Sequence, residues 1–195
     1  MERGHEIVTL IMEILAKQLG LSPPTFISLQ NKERPSGTVV RLIKAFASPH
    51  PSDLRTSMIH HTDFGTITLL ANIIGGLQIL APGKQPSEES AWMWVKPQPR
   101  HLIVNLGDAM VQWTGGLLRS NVHRINYAPG EQRSVDRYSI ALLVRPERDA
   151  SMRRLVGEVE GEDEYITAWE WEIRKTMALK RGDTVATSMG GNSVL

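Results

Sequence analysis

A mainly β fold, a sandwich or jelly roll with helices at both ends, is what this sequence of 195 residues predicts. Three observations point there. Between residues 58 and 146 there are seven short strand-like runs, rich in β-branched and apolar residues. Turn chemistry separates them, at Gly65, Gly75-Gly76, Pro82-Gly83, Pro97, Pro99, Gly115-Gly116 and Pro129-Gly130. No helix of crossover length lies between any two, which argues against a parallel sheet.

In chain order, residues 5–19 carry Ile7, Leu10, Ile11, Ile14, Leu15 and Leu19 at helical spacing, and Gly20 stands where a cap is expected. Pro23-Pro24 opens a second short helical segment to about Gln30. The β-branched run 38–43 is the first strand, and the later strands are expected at 58–63, 67–72, 77–80, 91–95, 101–105, 121–127 and 138–144. Residues 108–113 are expected to form one helical turn. After Arg145-Pro146 the residues become charged, from Glu147 to Glu164, and read as a solvated connector. A closing helix over 164–180 follows, with Ile166, Trp169, Ile173, Met177 and Lys180 at its spacing, ended by Gly182 and a frayed tail at Gly190-Gly191-Asn192. This divides the chain into a helical segment at 1–37, a β domain at 38–157, and a helix and tail at 158–195.

Composition narrows the chemistry. With 22 Lys and Arg against 21 Asp and Glu, the net charge of +1 gives no field that would gather nucleic acid or an anionic membrane. There is no cysteine, so thiolate sites and disulfides are excluded and His, Asp and Glu are left as the strong metal ligands. No run reaches the roughly 18 apolar residues of a membrane span, and residues 1–6 do not resemble a signal peptide. The expectation is a cytoplasmic enzyme without nucleic-acid or membrane partners; the oligomeric state is left open.

The informative tripeptide is His61-Thr62-Asp63. On a strand, alternate residues share a face, so His61 and Asp63 point one way and Thr62 the other. His60 falls on the opposite face. The best third ligand is His123, in the run 121–125. Two imidazoles and a carboxylate on one side of an ion leave the other positions open, which suits non-haem Fe(II) and oxygen chemistry. Alone, His-x-Asp is a weak pattern. Arg137-Tyr138-Ser139 strengthens it, because Arg137 and Ser139 share a strand face and offer a planar fork and a hydroxyl to a carboxylate.

Together these segments resemble the isopenicillin N synthase-like family of 2-oxoglutarate- and Fe(II)-dependent dioxygenases, from about Thr38 to Gly157. The resemblance rests on His-Thr-Asp-Phe-Gly-x-x-Thr-Leu-Leu at 61–70, Asn105-Leu106-Gly107-Asp108, Ser120-Asn121-Val122-His123-Arg124 and Arg137-Tyr138-Ser139 with Arg145-Pro146. The wording of 117–146 is closest to fungal members. It implies a double-stranded β-helix (jelly roll), iron on His61, Asp63 and His123, the C5 carboxylate of 2-oxoglutarate on Arg137 and Ser139, O2 as oxidant, and ascorbate as a candidate reductant. Hydroxylation, desaturation or ring closure of a small molecule would follow, in specialised metabolism by analogy with the fungal members. Two departures stand out: 41–46 lacks the Tyr that many relatives place there, and the family's usual N-terminal region is missing from the 195 residues. The second reading is therefore a truncated, weakly active or inactive jelly roll; a third keeps iron without 2-oxoglutarate.

Other residues read as structural. Trp92, Trp94 and Trp113 are expected in the core or walls, Phe64 in the core, Asp108 as a turn cap, and Arg124 as a structural neighbour of a ligand. His5, His50 and His101 have no spaced partners.

Overall fold

A computed structural model describes residues 2–48, 50, 58–157 and 165–181. The helices are α1 (Glu2–Gln18), α2 (Asp108–Trp113) and α3 (Ala168–Arg181). The strands are β1 (Val39–Ala45), β2 (Met58–His61), β3 (Ile67–Asn72), β4 (Leu77–Leu80), β5 (Trp92–Trp94), β6 (Ile103–Leu106), β7 (His123–Ile125) and β8 (Arg137–Val144). They form two antiparallel sheets of four strands, ordered β1-β8-β3-β6 and β2-β7-β4-β5. Strands distant in sequence are neighbours in each sheet, as in a jelly roll. β3 and β4 coincide with the runs read from the sequence, and the other strands differ from them by a few residues at their ends.

The first sheet is the larger. Its eight-residue β8 is flanked by β1 on one side and β3 on the other. The helices lie against this sheet, in one apolar core that joins Val8, Met12 and Ala16 of α1 to Ile67, Leu69, Leu142 and Val144 of the strands, Met110 and Trp113 of α2, and Trp171 of α3. Trp113 has no exposed surface, stacks on Phe26 at a centroid distance of 6.0 Å, and donates its indole N–H to the Ser151 carbonyl at 2.9 Å.

Six expectations need correcting. Helix α1 buries Val8, Met12 and Ala16, with Ile11, Leu15 and Leu19 beside them, and leaves Ile7, Leu10 and Ile14 exposed. Its apolar residues cover more than one face, and the sheet took the stripe that includes the small Ala16. The segment after Pro23-Pro24 makes turns and a single 3-10 turn (Ile27–Leu29) instead of a helix. Helix α3 turns Ala168, Trp171, Glu172 and Lys175 inward and leaves Trp169 and Met177 exposed. Its two buried charges are paired, Glu172 with Arg145 at 2.6 Å and Lys175 with Asp108, so an inward polar face is stable where an apolar count would not place one. In the charged stretch, Glu147 is buried, accepting from the Asn31 N–H at 3.0 Å, and Met152 is in the core. Trp94 is also exposed, unlike Trp92 and Trp113, and Phe64 is only half-buried. Residues 158–164, Gly182 and the tail lie outside the described residues. No helix among the described residues is long and apolar enough to cross a membrane.

Candidate metal centre

The smaller sheet brings two histidines face to face. His61 ends β2 and His123 begins β7, and the two are cross-strand partners with ring centroids 4.4 Å apart. Between Met58 and His61 the register slips, three steps on β2 against two on β7, so a bulge aims His61 inward. Each ring is set by the same local device. Nδ1 of His61 donates to the Ile59 carbonyl at 2.9 Å, and Nδ1 of His123 donates to the Asn121 carbonyl at 3.0 Å. A carbonyl can only accept, so each Nδ1 carries a proton, and in the neutral imidazole the Nε2 lone pair is free. Burial, aided by the neighbouring His123, keeps the His61 pKa below that of an ordinary histidine, which favours the neutral, ligating form.

Asp63 lies two residues past the end of β2, in the loop before β3, not on a strand. The alternation survives even so: Thr62 points away and donates to Asp108 at 2.9 Å. His60 also points elsewhere, towards Trp92 at 6.1 Å. The loop is held by close backbone contacts. The Asp63 carbonyl accepts from the Asp108 N–H at 2.8 Å, and Gly65 and Gly107 meet so tightly that a Cβ on Gly107 would stand 2.2 Å from the Gly65 carbonyl oxygen. Oδ2 of Asp63 accepts from Thr68 at 2.6 Å and from Asn105 at 2.8 Å. That leaves Oδ1 facing the two imidazoles, 3.9 Å from each Nε2. Burial works to raise the Asp63 pKa, but His123, the Thr68 hydroxyl, the Asn105 amide and His61 outweigh it and hold the carboxyl below its usual value. The three donor atoms lie within 4.8 Å of one another. These separations are too long for direct hydrogen bonds and short enough for one ion to touch all three. Two imidazole nitrogens with a carboxylate oxygen suit a first-row divalent metal such as Fe(II).

Arg137 and Ser139 start β8 and line the same cavity of about 460 Å³ as the three metal-facing side chains. The guanidinium is locked: Nε donates to the Gly75 carbonyl at 2.8 Å and Nη1 to Ser139 Oγ at 3.2 Å. Gly76, at a φ of 109°, makes the turn that presents this carbonyl. Nη2 of Arg137 is buried with no partner, the single such atom among the described residues. A buried cationic N–H left unpaired is costly, and a carboxylate would satisfy it. Ala45, from the run that lacks a Tyr, stands opposite Arg137 in β1 and also lines the cavity.

Asp108 departs from expectation. It does not cap α2, whose N-terminal cap is Gly107 without a side-chain bond. Its fully buried carboxylate accepts from Thr62 at 2.9 Å, from Ser120 at 2.5 Å and from Lys175 of α3. Thr62 separates two metal-facing residues and Ser120 precedes the third by three positions, so one carboxylate ties both segments to the closing helix. Burial lowers the Lys175 pKa, with Asp108 opposing. Arg124 is structural, as expected: it donates to Gln78 at 2.8 Å, forks onto Glu89, and lies 4.2 Å over Trp92. Sequence reasoning missed Lys175, whose polar end hides it from an apolar count. It also missed the roles of Thr68 and Asn105, although both stand in the motifs that carry the resemblance.

A family model described as the 2OG-Fe(II) oxygenase superfamily matches residues 36–146. A 2-oxoglutarate-dependent dioxygenase of Amanita muscaria, iboH, is 33% identical over 88% of this chain and 79% of its own length. A 2-oxoglutarate-dependent dioxygenase of Aspergillus fumigatus is 31% identical over 80% of this chain, which spans 44% of that relative. In fold, the chain is similar to a full-length Neurospora crassa protein solved in complex with alpha-KG and 5-formyluracil, at a TM-score of 0.76 and 23% identity, covering 91% of this chain and 57% of that one. By the family match and by the length it shares with the Amanita relative, the chain belongs to the 2OG-Fe(II) oxygenase superfamily.

Proposed function

We propose that this chain oxidises an unactivated C–H bond of a small molecule, using Fe(II) and 2-oxoglutarate, in a fungal-type specialised pathway. One observation carries the reading. Two free imidazole nitrogens and one free carboxylate oxygen converge in the cavity that also holds an arginine with an unsatisfied, buried N–H. When bound, iron and 2-oxoglutarate supply the oxidising power, with O2 consumed and the keto acid leaving as succinate and carbon dioxide.

The protein's own residues supply placement. His61, Asp63 and His123 would hold the metal through the three free donor atoms. Arg137 Nη2 and the Ser139 hydroxyl proton would hold the distal carboxylate of the keto acid, a charge-assisted pair with fixed direction. Asn105 and Thr68 keep Asp63 from swinging away. Leu70, Leu77, Ile79, Ile103 and Ile125 give the cavity apolar walls that exclude water and orient a substrate by shape. The intact site weighs against a non-catalytic remnant, because decay has no reason to preserve a buried arginine with nothing to bind. The pathway class is an analogy with the fungal dioxygenases that this chain is similar to.

The test is oxygen uptake and succinate release with Fe(II) and 2-oxoglutarate, with His123→Ala as control. Turnover in the wild type and background in the variant are expected, and no turnover in either would sink the reading. Metabolite profiles of a strain lacking the gene would then name the substrate.

A further inference from the structure

Two arginines in the cavity are not used by the chemistry above. Arg41 and Arg119 both line it, together with the metal-facing residues and Arg137. Arg41 reaches it from β1, where Arg41, Ile43 and Ala45 share the inward face. Arg119 reaches it from the approach to β7, where Arg119, Asn121 and His123 alternate into the same space. Both residues are exposed, so they stand where the cavity opens to solvent. Neither has a hydrogen bond or ion pair with any described residue, whereas Arg124, Arg137 and Arg145 are all bonded. The acidic residue lining the cavity is Asp63, whose Oδ2 accepts from Thr68 and Asn105 and whose Oδ1 faces the two imidazoles.

Charge balance then makes the point. A divalent metal, the dianionic keto acid, Asp63 and Arg137 sum to zero. Arg41 and Arg119 are what is left over, two positive charges facing a cavity with otherwise largely apolar walls. Two guanidiniums without a partner among the described residues, both at the mouth of one cavity, favour an anion that enters it. The anion is distinct from the distal carboxylate of the keto acid. Arg41 lies four strand residues from Ala45, the partner of Arg137, which separates the two Cα atoms by about 13 Å.

We propose that Arg41 and Arg119 bind an anionic group of the primary substrate, so that the molecule oxidised carries a carboxylate or a similar oxyanion. This rests on the oxygenase reading, and adds the substrate class. The pair acts as a specificity device: it orients the substrate by its charged end and leaves the apolar end to face the metal. A neutral analogue of the same shape would leave two cations unpaired, which is the basis of discrimination.

The experiment uses the whole chain with Zn(II) in place of iron, which binds but cannot turn over. Calorimetry first gives the dissociation constant of 2-oxoglutarate for the wild type, Arg137→Gln, and the double variant Arg41→Gln/Arg119→Gln. Ligand-observed NMR then compares hexanoate, benzoate and cyclohexylacetate with their three amides, in the presence of 2-oxoglutarate. The expected result is at least one carboxylate bound about tenfold or more tightly than its amide, with the preference abolished in the double variant. Its 2-oxoglutarate affinity should change less than about twofold, and its melting temperature should hold, since both arginines are exposed and neither pairs with a described residue. Amides that bind as well as carboxylates, no carboxylate bound at all, or a preference that survives in the double variant would overturn the proposal. So would a double variant that loses 2-oxoglutarate as severely as Arg137→Gln. A wild type that binds Zn(II) but no 2-oxoglutarate would sink the oxygenase reading and this inference together; intact 2-oxoglutarate binding with no charge preference sinks this one alone.

Discussion

The two sheets divide the labour unequally. The larger sheet carries Arg137 and Ser139 on an eight-residue strand with partners on both sides, and its other face is backed by three helices in one extended core. The smaller sheet carries both histidines on strands of four and three residues, and its separate core is Leu80, Ala91, Trp92 and Val122. Polar fastening replaces apolar packing there: Arg124 reaches Gln78, Glu89 and Trp92, and Asp108 grips the segments on either side. The proposed anchor for the keto acid is thus built into the stable half of the fold. The two histidines sit on the half with the least hydrophobic support, where a bound ion would itself add cohesion.

The largest expected effect breaks the smaller sheet's function and spares the larger sheet. His123→Ala should reduce succinate formation to background, because one of three donor atoms is gone. The stability of the apo protein should change little, since the core around α1, β3, β8 and α2 is untouched. Wild-type protein should melt higher with saturating divalent metal, by about 2.7 kcal/mol at a hundredfold excess over Kd, and the variant should lose that increment. A variant that unfolds without metal, or keeps the increment, would show that the sheets are not separable in this way.

Lys175→Met reaches the same sheet from the far side. It strips a paired ammonium from a fully buried carboxylate, leaving Asp108 with the Thr62 and Ser120 hydroxyls alone. The expected loss is about 3–5 kcal/mol by denaturant unfolding. Metal affinity should fall as well, because Thr62 and Ser120 hold the ligand-bearing segments. If stability falls and metal affinity does not, the network is only a fastening for α3.

How far these features could be read from residues alone depends on what kind of signal each one leaves. His61, Asp63, His123, Arg137 and Ser139 sit in short motifs, where spacing of one residue translates directly into a shared face. β3 and β4 were legible because turn residues bracket them closely. Helix faces were harder. In α1 the apolar residues are too many to single out one stripe, and in α3 the inward positions are partly Glu172 and Lys175, whose partners Arg145 and Asp108 come from elsewhere in the chain. Long-range pairing of this sort has no local signature. The same holds for Arg41 and Arg119, one at a strand position and one in a loop, which only the fold brings to one cavity.

Arg137→Gln tests the larger sheet in turn. Its amide keeps some hydrogen bonding but loses the charge and the fork, so the KM for 2-oxoglutarate should rise on the order of a hundredfold, consistent with roughly 2–5 kcal/mol for a truncated charge pair. The metal-dependent melting shift should be unchanged, the converse of His123→Ala.

Ser139→Ala gives the smallest effect and the finest resolution of that anchor. Its oxygen accepts from Arg137 Nη1 at 3.2 Å, a long bond, so the hydroxyl proton is free to donate to a ligand. Removing it leaves Nε on the Gly75 carbonyl and Nη2 in place, and the guanidinium keeps its direction. The loss is then one hydrogen bond of about 1 kcal/mol, or roughly fivefold in KM for 2-oxoglutarate. An effect as large as that of Arg137→Gln would mean that the hydroxyl orients the guanidinium itself, and that the larger sheet leaves its anchor less rigid than the Gly75 contact implies.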